Sequence, residues 1–302
     1  MSFIYINGNY LPEKEALVSC FDRSFLFGEG LFESFKSCNS QCFFLKDHIN
    51  RLEWSATYLG IDFPSSVNFA EVCQTLLDKN QFKDARFKIV LSRAGCGFTD
   101  TAHACGHTDH ERAVNLIVFC EDLCHCSHST HYKLKVIKDL RNDALPLALI
   151  KTTNNLVKTL ARAHAKEAGF DDGILLNAQG LVTETCTANI FWVDKDARLW
   201  TILKEQGALP GIMQKNLLEV LKENKISIKE GLISPQDLSN AREIFITNSI
   251  IGIKPVITVD GRQISGGETG SITAMLTDVW QKHLDKLLNP HKAENTTRAG
   301  TS

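Results

Sequence analysis

Alternating apolar and polar positions predict short strands in the first third of the chain. The apolar run Phe3 to Ile6 ends at Asn7-Gly8, a dipeptide that favours a hairpin turn. From Arg86 to Ser92 apolar and polar side chains alternate with the period of a half-buried strand. Further strands are predicted at residues 31–37, 42–45 and 113–120.

A helix is predicted directly after residues 42–45. Apolar side chains recur at helical spacing from Ile49 to Leu59. Asp47 is the predicted N-cap, and Gly60 is predicted to end the helix.

Periodicity is lost over residues 121–131 and returns in a second set of elements. These are predicted helices at 151–168, 212–224 and 271–288, predicted strands at 132–138, 173–177, 181–193 and 243–247, and a hairpin turn at Asp260-Gly261. The sequence therefore predicts an N-terminal α+β domain over 1–120, a linker over 121–131, and a C-terminal domain over 132–288, with a cleft between the domains. Residues 289–302 have little to bury and are predicted to be a disordered tail.

Composition restricts the classes of protein to which the chain can belong. At 302 residues it is long enough for two hydrophobic cores, and its formal charge of −2 argues against a nucleic-acid partner. No apolar run approaches the roughly 20 residues of a membrane span, and the opening residues do not resemble a signal peptide. The ten cysteines are therefore expected to be thiols, which predicts a cytoplasmic protein.

The first candidate for chemistry is Lys151, which follows the apolar run 145–150 and opens a predicted helix. Apolar surroundings desolvate an amine and favour its neutral, nucleophilic form. The alternative is a lysine whose alkyl chain packs on apolar surface while its charge reaches solvent.

The second candidate is Glu184, which lies inside the predicted strand 181–193. A buried carboxylate is costly unless a cation or a strong hydrogen-bond donor accompanies it. The sequence leaves open whether that partner is functional or belongs to an ion pair within the sheet.

Three further features suggest anion binding. Gly211 precedes the predicted helix 212–224, so it either presents backbone N–H groups to an anion or only makes a turn. Arg51 lies off the apolar stripe of its helix and is either a phosphate clamp or a solvated arginine. Thr247-Asn248-Ser249 ends a predicted strand with three polar side chains.

Taken together, these residues resemble the class IV aminotransferase family. The stretch from Glu184 to Met213 follows the family signature, with Asn189-Ile-Phe191, Leu199-Trp-Thr201 and Gly211-Ile212 at the expected spacing. The resemblance also covers the blocks Tyr5–Gly8, Phe27–Ser34, His48–Leu52 and Asn248–Pro255. One departure is Gln214, followed by Lys215, where the signature closes on a basic residue, and it concerns the anchoring of the helix.

The resemblance implies a two-domain fold type IV enzyme, α+β or α/β, with pyridoxal 5'-phosphate bound in the C-terminal domain. Lys151 resembles the lysine that holds the cofactor as an imine and later shuttles protons, and Glu184 resembles the carboxylate that keeps the pyridine nitrogen protonated. The implied phosphate cradle consists of Arg51, the backbone at Ile212 and Met213, and Ser249. Proteins of this family are usually homodimers, with each active site between the two domains and close to the partner subunit.

Within the family, the sequence favours 4-amino-4-deoxychorismate lyase, which forms 4-aminobenzoate and pyruvate in folate biosynthesis. Blocks 25–34 and 247–255 most resemble the lyase group. Leu156 stands where branched-chain enzymes usually carry a tyrosine, and Phe32 stands where D-amino-acid enzymes have one. A D-amino-acid or branched-chain amino-acid aminotransferase is the alternative, followed by a non-catalytic binding protein on this scaffold.

Contacts to the substrate are less specific in the sequence. Asn248, Arg93 and Phe32 are the candidates. The glycine-rich loop after Arg93 lacks the second arginine that some lyases place there, and Lys36 and Lys254 are alternatives for a substrate carboxylate.

A zinc site is a further alternative, because cysteines and histidines cluster between residues 103 and 131. The cluster consists of His103, Cys105, His107, His110, Cys120, Cys124, His125, Cys126, His128 and His131. Its spacing lacks the regular pairs of zinc motifs, so a polar loop without a metal is predicted.

Overall fold

The computed structural model describes residues 2–95, 114–123, 129–141 and 146–289. The chain divides into two compact units: Met1–Ser127 with Ile150–Asn155, and His128–Leu149 with Leu156–Ser302. The segment Ile150–Asn155 thus belongs to the first unit, whereas the predicted division placed it in the C-terminal domain. Residues 124–128 of the predicted linker and the predicted tail after Asn289 lie outside the described residues.

A six-stranded antiparallel sheet is the centre of the first unit, with the order β2-β1-β6-β5-β3-β4. The strands are β1 (Phe3–Ile6), β2 (Asn9–Pro12), β3 (Gly30–Cys38), β4 (Gln41–Cys42), β5 (Ala85–Arg93) and β6 (Val114–Asp122). The helices are α1 (Arg23–Phe27), α2 (Leu45–Leu59) and α3 (Phe69–Asn80). Leu52 of α2 and Leu76 of α3 are buried with Phe35 and Phe87 in one apolar core.

Two predicted turns of the first unit are confirmed. Asn7 and Gly8 have positive φ angles of 48° and 91° and join β1 to β2 in a hairpin. Gly60 ends α2 with a φ of 63°, a conformation that glycine adopts without strain.

The region between β3 and α2 differs from the predicted strand 42–45 and the predicted N-cap. β4 ends at Cys42, so the predicted strand 42–45 is wrong beyond its first residue. Phe44 has a φ of 54° and cannot continue a strand, and α2 therefore begins at Leu45. Asp47 lies within the first turn of α2 and is not its N-cap, although its charge there still favours the helix dipole.

A mixed nine-stranded sheet is the centre of the second unit. Its order is β12-β11-β10-β13-β14-β7-β8-β9, and β15 pairs with β14. The strands are β7 (Tyr132–Arg141), β8 (Asp172–Leu176), β9 (Val182–Thr185), β10 (Asn189–Val193), β11 (Leu199–Ile202), β12 (Ile228–Gly231), β13 (Glu243–Asn248), β14 (Gly252–Val259) and β15 (Arg262–Gln263). The helices are α4 (Leu156–Glu167), α5 (Ile212–Glu223), α6 (Pro235–Ser239) and α7 (Ser271–Leu288).

Several predictions for this unit are confirmed and two need correction. α7 has the predicted bounds, and Asp260-Gly261 joins β14 to β15 with both φ angles positive. The predicted strand 181–193 is two strands, because Thr185 Oγ1 accepts a hydrogen bond from the Ala188 N–H at 2.9 Å and closes a turn. The predicted helix from Lys151 begins only at Leu156, since the preceding residues pair with β3 in the first unit.

Among the described helices, none combines the length and the apolar character that crossing a membrane requires.

Candidate active site

Lys151 lies in an extended segment that hydrogen-bonds to β3. The Phe32 N–H donates to the Lys151 carbonyl at 2.9 Å, and the Thr153 N–H donates to the Gly30 carbonyl at 2.8 Å. These two bonds fix the backbone on both sides of Thr152, which forms a bridge with Leu31. The Lys151 ammonium nitrogen lies 4.5 Å from the centroid of the Phe32 ring, so two residues predicted for the site are brought together.

Close backbone packing explains the glycine-rich block before β3. A Cβ on Gly30 would lie 2.6 Å from Ser24 Oγ and 2.8 Å from Thr153 Oγ1. These two hydroxyl groups hydrogen-bond to each other at 2.8 Å, and Thr153 Oγ1 also donates to the Gly28 carbonyl at 3.1 Å. Gly30 therefore lets the Lys151 segment approach the sheet closely.

Arg51 of α2 is held by a buried carboxylate of β3. Its Nε and Nη2 donate to the two oxygens of Glu33, both at 2.7 Å, in a bidentate pair. His48 Nδ1 lies 2.6 Å from the same carboxylate. Glu33 and His48 are functional candidates that the sequence reasoning missed, although both fall inside the family-like blocks.

Burial and the neighbouring charges shift the pKa values of Glu33 and His48. Burial alone would raise the pKa of Glu33, but the Arg51 charge and the hydrogen bonds from His48 and Arg51 lower it to about 2. Burial lowers the pKa of His48, and the charges of Arg51 and Lys151 add to that effect against the opposing pull of Glu33. At neutral pH the cluster therefore holds an ionised carboxylate, a charged guanidinium and a neutral imidazole. The pair with Glu33 uses Nε and Nη2 of Arg51, and an arginine has five N–H donors in all. The place of Arg51 in a phosphate cradle stays a prediction.

Glu184 is buried in β9 and has a cationic partner in α4. Lys158 Nζ donates to Glu184 Oε1 at 2.7 Å, and the Leu209 N–H donates to Oε2 at 3.2 Å. The sequence predicted that this carboxylate needs a partner but did not identify Lys158, which is 26 residues away along the chain.

The loop before α5 is fixed by the same part of the sheet. Asn189 Nδ2 of β10 donates to the Leu209 carbonyl at 2.8 Å. A Cβ on Gly211 would lie only 1.9 Å from Asn189 Oδ1, so no other residue fits there without displacement. α5 then begins at Ile212 and Met213, and its Gly211 N-cap supplies no side-chain hydrogen bond to the first turn.

The neighbouring strand β13 carries a buried hydroxyl group. Thr247 pairs in register with Asn189, and its Oγ1 has no hydrogen-bond partner in the part of the chain that the structure describes. Such an atom is costly unless a ligand or water satisfies it. The start of α5 and Thr247 are therefore suited to an oxyanion.

The side chain of Asn248 stabilises a turn after β13. Its Oδ1 accepts from the N–H groups of Ile250 and Ile251, both at 2.9 Å, and its Nδ2 donates to the Thr187 carbonyl at 3.0 Å. Ser249 is half-buried in this turn. The turn fixes the backbone of Ser249, whose phosphate role stays a prediction.

Arg93 caps the C-terminus of α2 in the first unit. Its Nη2 donates to the carbonyls of Leu59 and Gly60 at 3.1 and 2.8 Å, and its Nε lies 3.6 Å from Glu29 Oε2. These contacts give the guanidinium a structural task, and its predicted contact with a substrate carboxylate stays a prediction.

The departure from the family signature at Gln214 has a local explanation. Gln214 Nε2 donates to Thr201 Oγ1 at 3.0 Å, and Thr201 Oγ1 donates to the Ile190 carbonyl at 3.1 Å. These bonds anchor the first turn of α5 to β11 and β10 without a basic side chain.

Most of the cysteine- and histidine-rich region lies outside the described residues. Cys120 is buried in β6, and His131 Nε2 lies 3.1 Å from Thr269 Oγ1. Within the described ranges, no three side chains of metal-ligand type form a group. The absence of a metal stays a prediction.

The chain matches a protein-family model over most of its length. The sequence model described as amino-transferase class IV matches residues 30–259, a range that includes Lys151, Glu184 and the start of α5.

The relatives of this chain include proteins named as an aminotransferase and as a lyase. The chain is 33% identical over 286 residues to a "Putative branched-chain-amino-acid aminotransferase" of Methanocaldococcus jannaschii, covering 91% of this chain and 94% of that protein. It is 28% identical over 290 residues to an "Aminodeoxychorismate lyase" of Bacillus subtilis, covering 95% of this chain and 96% of the relative.

The fold also occurs in a solved structure. The crystal structure of a "Putative 4-amino-4-deoxychorismate lyase" of Legionella pneumophila superposes with a TM-score of 0.79 at 28% identity, covering 89% of this chain and 96% of that one. The two-domain fold type IV architecture predicted from the sequence is confirmed.

Proposed function

This chain belongs to the class IV aminotransferase family, and we propose that within it the chain is a 4-amino-4-deoxychorismate lyase that forms 4-aminobenzoate and pyruvate. The protein is an enzyme of amino-group chemistry, and pyridoxal 5'-phosphate is its cofactor. The presence of both Lys151 and Glu184 argues against a non-catalytic binding protein on this scaffold.

The residues fit this cofactor by the chemistry of their donors. The buried Glu184 supplies a negative charge for a protonated pyridine nitrogen. The start of α5 at Ile212 and Met213 suits a phosphate, as does the Thr247 hydroxyl group, which has no hydrogen-bond partner among the described residues. We propose that Arg51 and Ser249 complete the phosphate contacts and that Lys151 holds the aldehyde carbon.

Each of these residues has a defined task in the proposed lyase reaction. When bound, pyridoxal phosphate supplies an electron sink for the substrate carbon that carries the amine. Glu184 holds the proton on the pyridine nitrogen and thereby maintains that sink. The substrate amine would take the place of Lys151 on the aldehyde carbon, and the freed Lys151 Nζ would then remove the proton from the ring carbon that bears the amine. The C–O bond to the enolpyruvyl group would break as the ring becomes aromatic, and the released enolpyruvate would take up a proton to give pyruvate.

The observation that carries the choice of lyase is the side chain beside the amine of Lys151. It is Phe32, at 4.5 Å, where D-amino-acid enzymes have a tyrosine. Leu156 likewise stands where branched-chain enzymes usually have a tyrosine, and it is exposed in its own unit. Neither residue offers the hydroxyl group that the two aminotransferase classes carry at these positions.

An aminotransferase is the second candidate, and one observation favours it. The relative at 33% identity is named as a branched-chain-amino-acid aminotransferase, whereas the lyase of Bacillus subtilis matches at 28%. The two reactions differ in one requirement, since a transaminase needs a keto-acid acceptor and the lyase does not.

That requirement gives the test of the proposed function. The purified enzyme is incubated with aminodeoxychorismate alone, and separately with D-alanine or leucine plus 2-oxoglutarate. We expect 4-aminobenzoate without any acceptor, and none from Lys151→Ala. Glutamate formation without aminobenzoate release would replace the lyase by an aminotransferase.

The assembly and location of the protein are also proposals. We propose a homodimer of about 67 kDa, twice the chain mass of 33.7 kDa, which sedimentation velocity checks directly. A cytoplasmic location stays a prediction that fractionation of the source cells can test.

A further inference from the structure

The second unit provides Glu184 with a cation of its own. Lys158, the third residue of α4, places Nζ 2.7 Å from Glu184 Oε1. The Glu184 side chain is 4% exposed, and the Lys158 side chain is 22% exposed. The ammonium group thus reaches a carboxylate that water scarcely contacts.

Both oxygens of this carboxylate are engaged by the protein. Oε1 receives Lys158, and Oε2 receives the Leu209 N–H at 3.2 Å. The Leu209 carbonyl in turn accepts from Asn189 Nδ2, which ties the loop to β10. These two bonds orient the carboxylate within the second unit.

Removing the cation would change the state of the carboxylate. A buried negative charge without a cation either takes up a proton or turns toward water. Either change removes the fixed negative charge that a protonated pyridine nitrogen requires.

We propose that Lys158 is a positioning residue that compensates the buried charge of Glu184 and orients its carboxylate for the pyridine nitrogen of the cofactor. The proposal rests on the proposed role of Glu184. Lys166, further along α4, shows the contrast: its side chain is 53% exposed, and its Nζ lies 3.9 Å from Asp171. Lys166 is therefore the matched control for a lysine of the same helix.

The first experiment measures the affinity of the cofactor-free protein for pyridoxal phosphate by fluorescence titration. We expect Lys158→Met to weaken binding about tenfold, which corresponds to about 1.4 kcal/mol. Lys158→Arg keeps the charge and should restore most of the affinity, and Lys166→Met should bind as the original protein does. Circular dichroism verifies folding, and Lys158→Gln replaces Lys158→Met where the latter is insoluble.

The second experiment separates positioning from a general effect on structure. In the visible absorbance of the bound cofactor, Lys158→Met should shift the band in the same direction as Glu184→Gln, whereas Lys158→Arg should not. Adding Lys158→Met to Glu184→Gln should cost no further affinity, because the carboxylate that Lys158 serves is already gone.

The outcomes distinguish this inference from the proposed function. Binding by Lys158→Met that equals or exceeds that of the original protein, or an equal loss in the Glu184→Gln background, overturns the role of Lys158. A Glu184→Gln variant that is unchanged in affinity and spectrum instead overturns the proposed role of Glu184, and an original protein without a cofactor band overturns the proposed function.

Discussion

At the scale of single residues, Glu33 shows how the first unit keeps a charge away from water. Its carboxylate is almost fully buried and is paired with Arg51 and His48. Breaking such a pair leaves the remaining charge uncompensated, which costs about 3–5 kcal/mol. The cluster therefore holds the guanidinium group of Arg51 in one position.

The pKa of Glu33 predicts how stability responds to acid. In the folded state this carboxyl group stays ionised down to about pH 2, whereas its ordinary pKa is 4.5. Between these values the unfolded chain binds more protons, so the free energy of unfolding falls as the pH decreases through that window. The lowered pKa of Glu33 contributes on the order of 3 kcal/mol to the free energy of unfolding at neutral pH. His48 acts in the same direction below its ordinary pKa of 6.5, because burial lowers its pKa.

Denaturant unfolding at several pH values measures this effect. The stability difference between the original protein and Glu33→Gln should be largest above pH 4.5 and should shrink toward pH 2. Glu29→Gln is the control, because Glu29 also pairs with an arginine but its side chain is 40% exposed. A difference for Glu33→Gln that is constant with pH would contradict the assigned pKa.

At the scale of elements, the loop before α5 depends on Gly211. Gly211→Ala should destabilise the protein by about 1–3 kcal/mol, as overpacking does, because the added methyl group meets the Asn189 amide. It should also weaken cofactor binding, since the start of α5 moves. Thermal unfolding and fluorescence titration measure the two effects.

A double variant tests whether that contact is the cause. Adding Asn189→Ala should recover part of the stability lost in Gly211→Ala, although Asn189→Ala alone loses the bond to the Leu209 carbonyl. Strictly additive losses would show that the clash with Asn189 is not the reason for the glycine.

Elements with local causes could be predicted from the sequence. The turns at Asn7-Gly8 and Asp260-Gly261 and the helix α7 depend on nearby residues, and all are confirmed. The start of α4 could not be predicted, because the residues from Lys151 bond to β3, more than a hundred positions earlier. The helix α3 was missed although its buried residues Phe69, Val72, Cys73, Leu76 and Leu77 follow helical spacing.

Some features of the candidate site could likewise be predicted from the sequence, and others could not. The need of Glu184 for a partner follows from burial of a charge and could be predicted. The identity of that partner, Lys158, depends on how α4 packs beside β9, and a linear pattern does not contain it. The capping of α2 by Arg93 is likewise a tertiary contact that a linear pattern does not contain.

At the scale of the whole molecule, two units contribute different chemistry to one proposed enzyme. The first unit holds Lys151 against β3 and fixes Arg51 through Glu33. The second unit holds Glu184, the start of α5 and the turn at Asn248. Family membership fixes the class of enzyme, and we propose that side chains such as Phe32 decide the reaction.

The central claim is that Lys151 is the residue that holds the cofactor. The protein loaded with pyridoxal phosphate is reduced with borohydride, digested, and searched by mass spectrometry for the phosphopyridoxyl label. We expect one label, on Lys151, and none in Lys151→Ala. A label on another lysine, such as Lys158, or an unlabelled protein would contradict it.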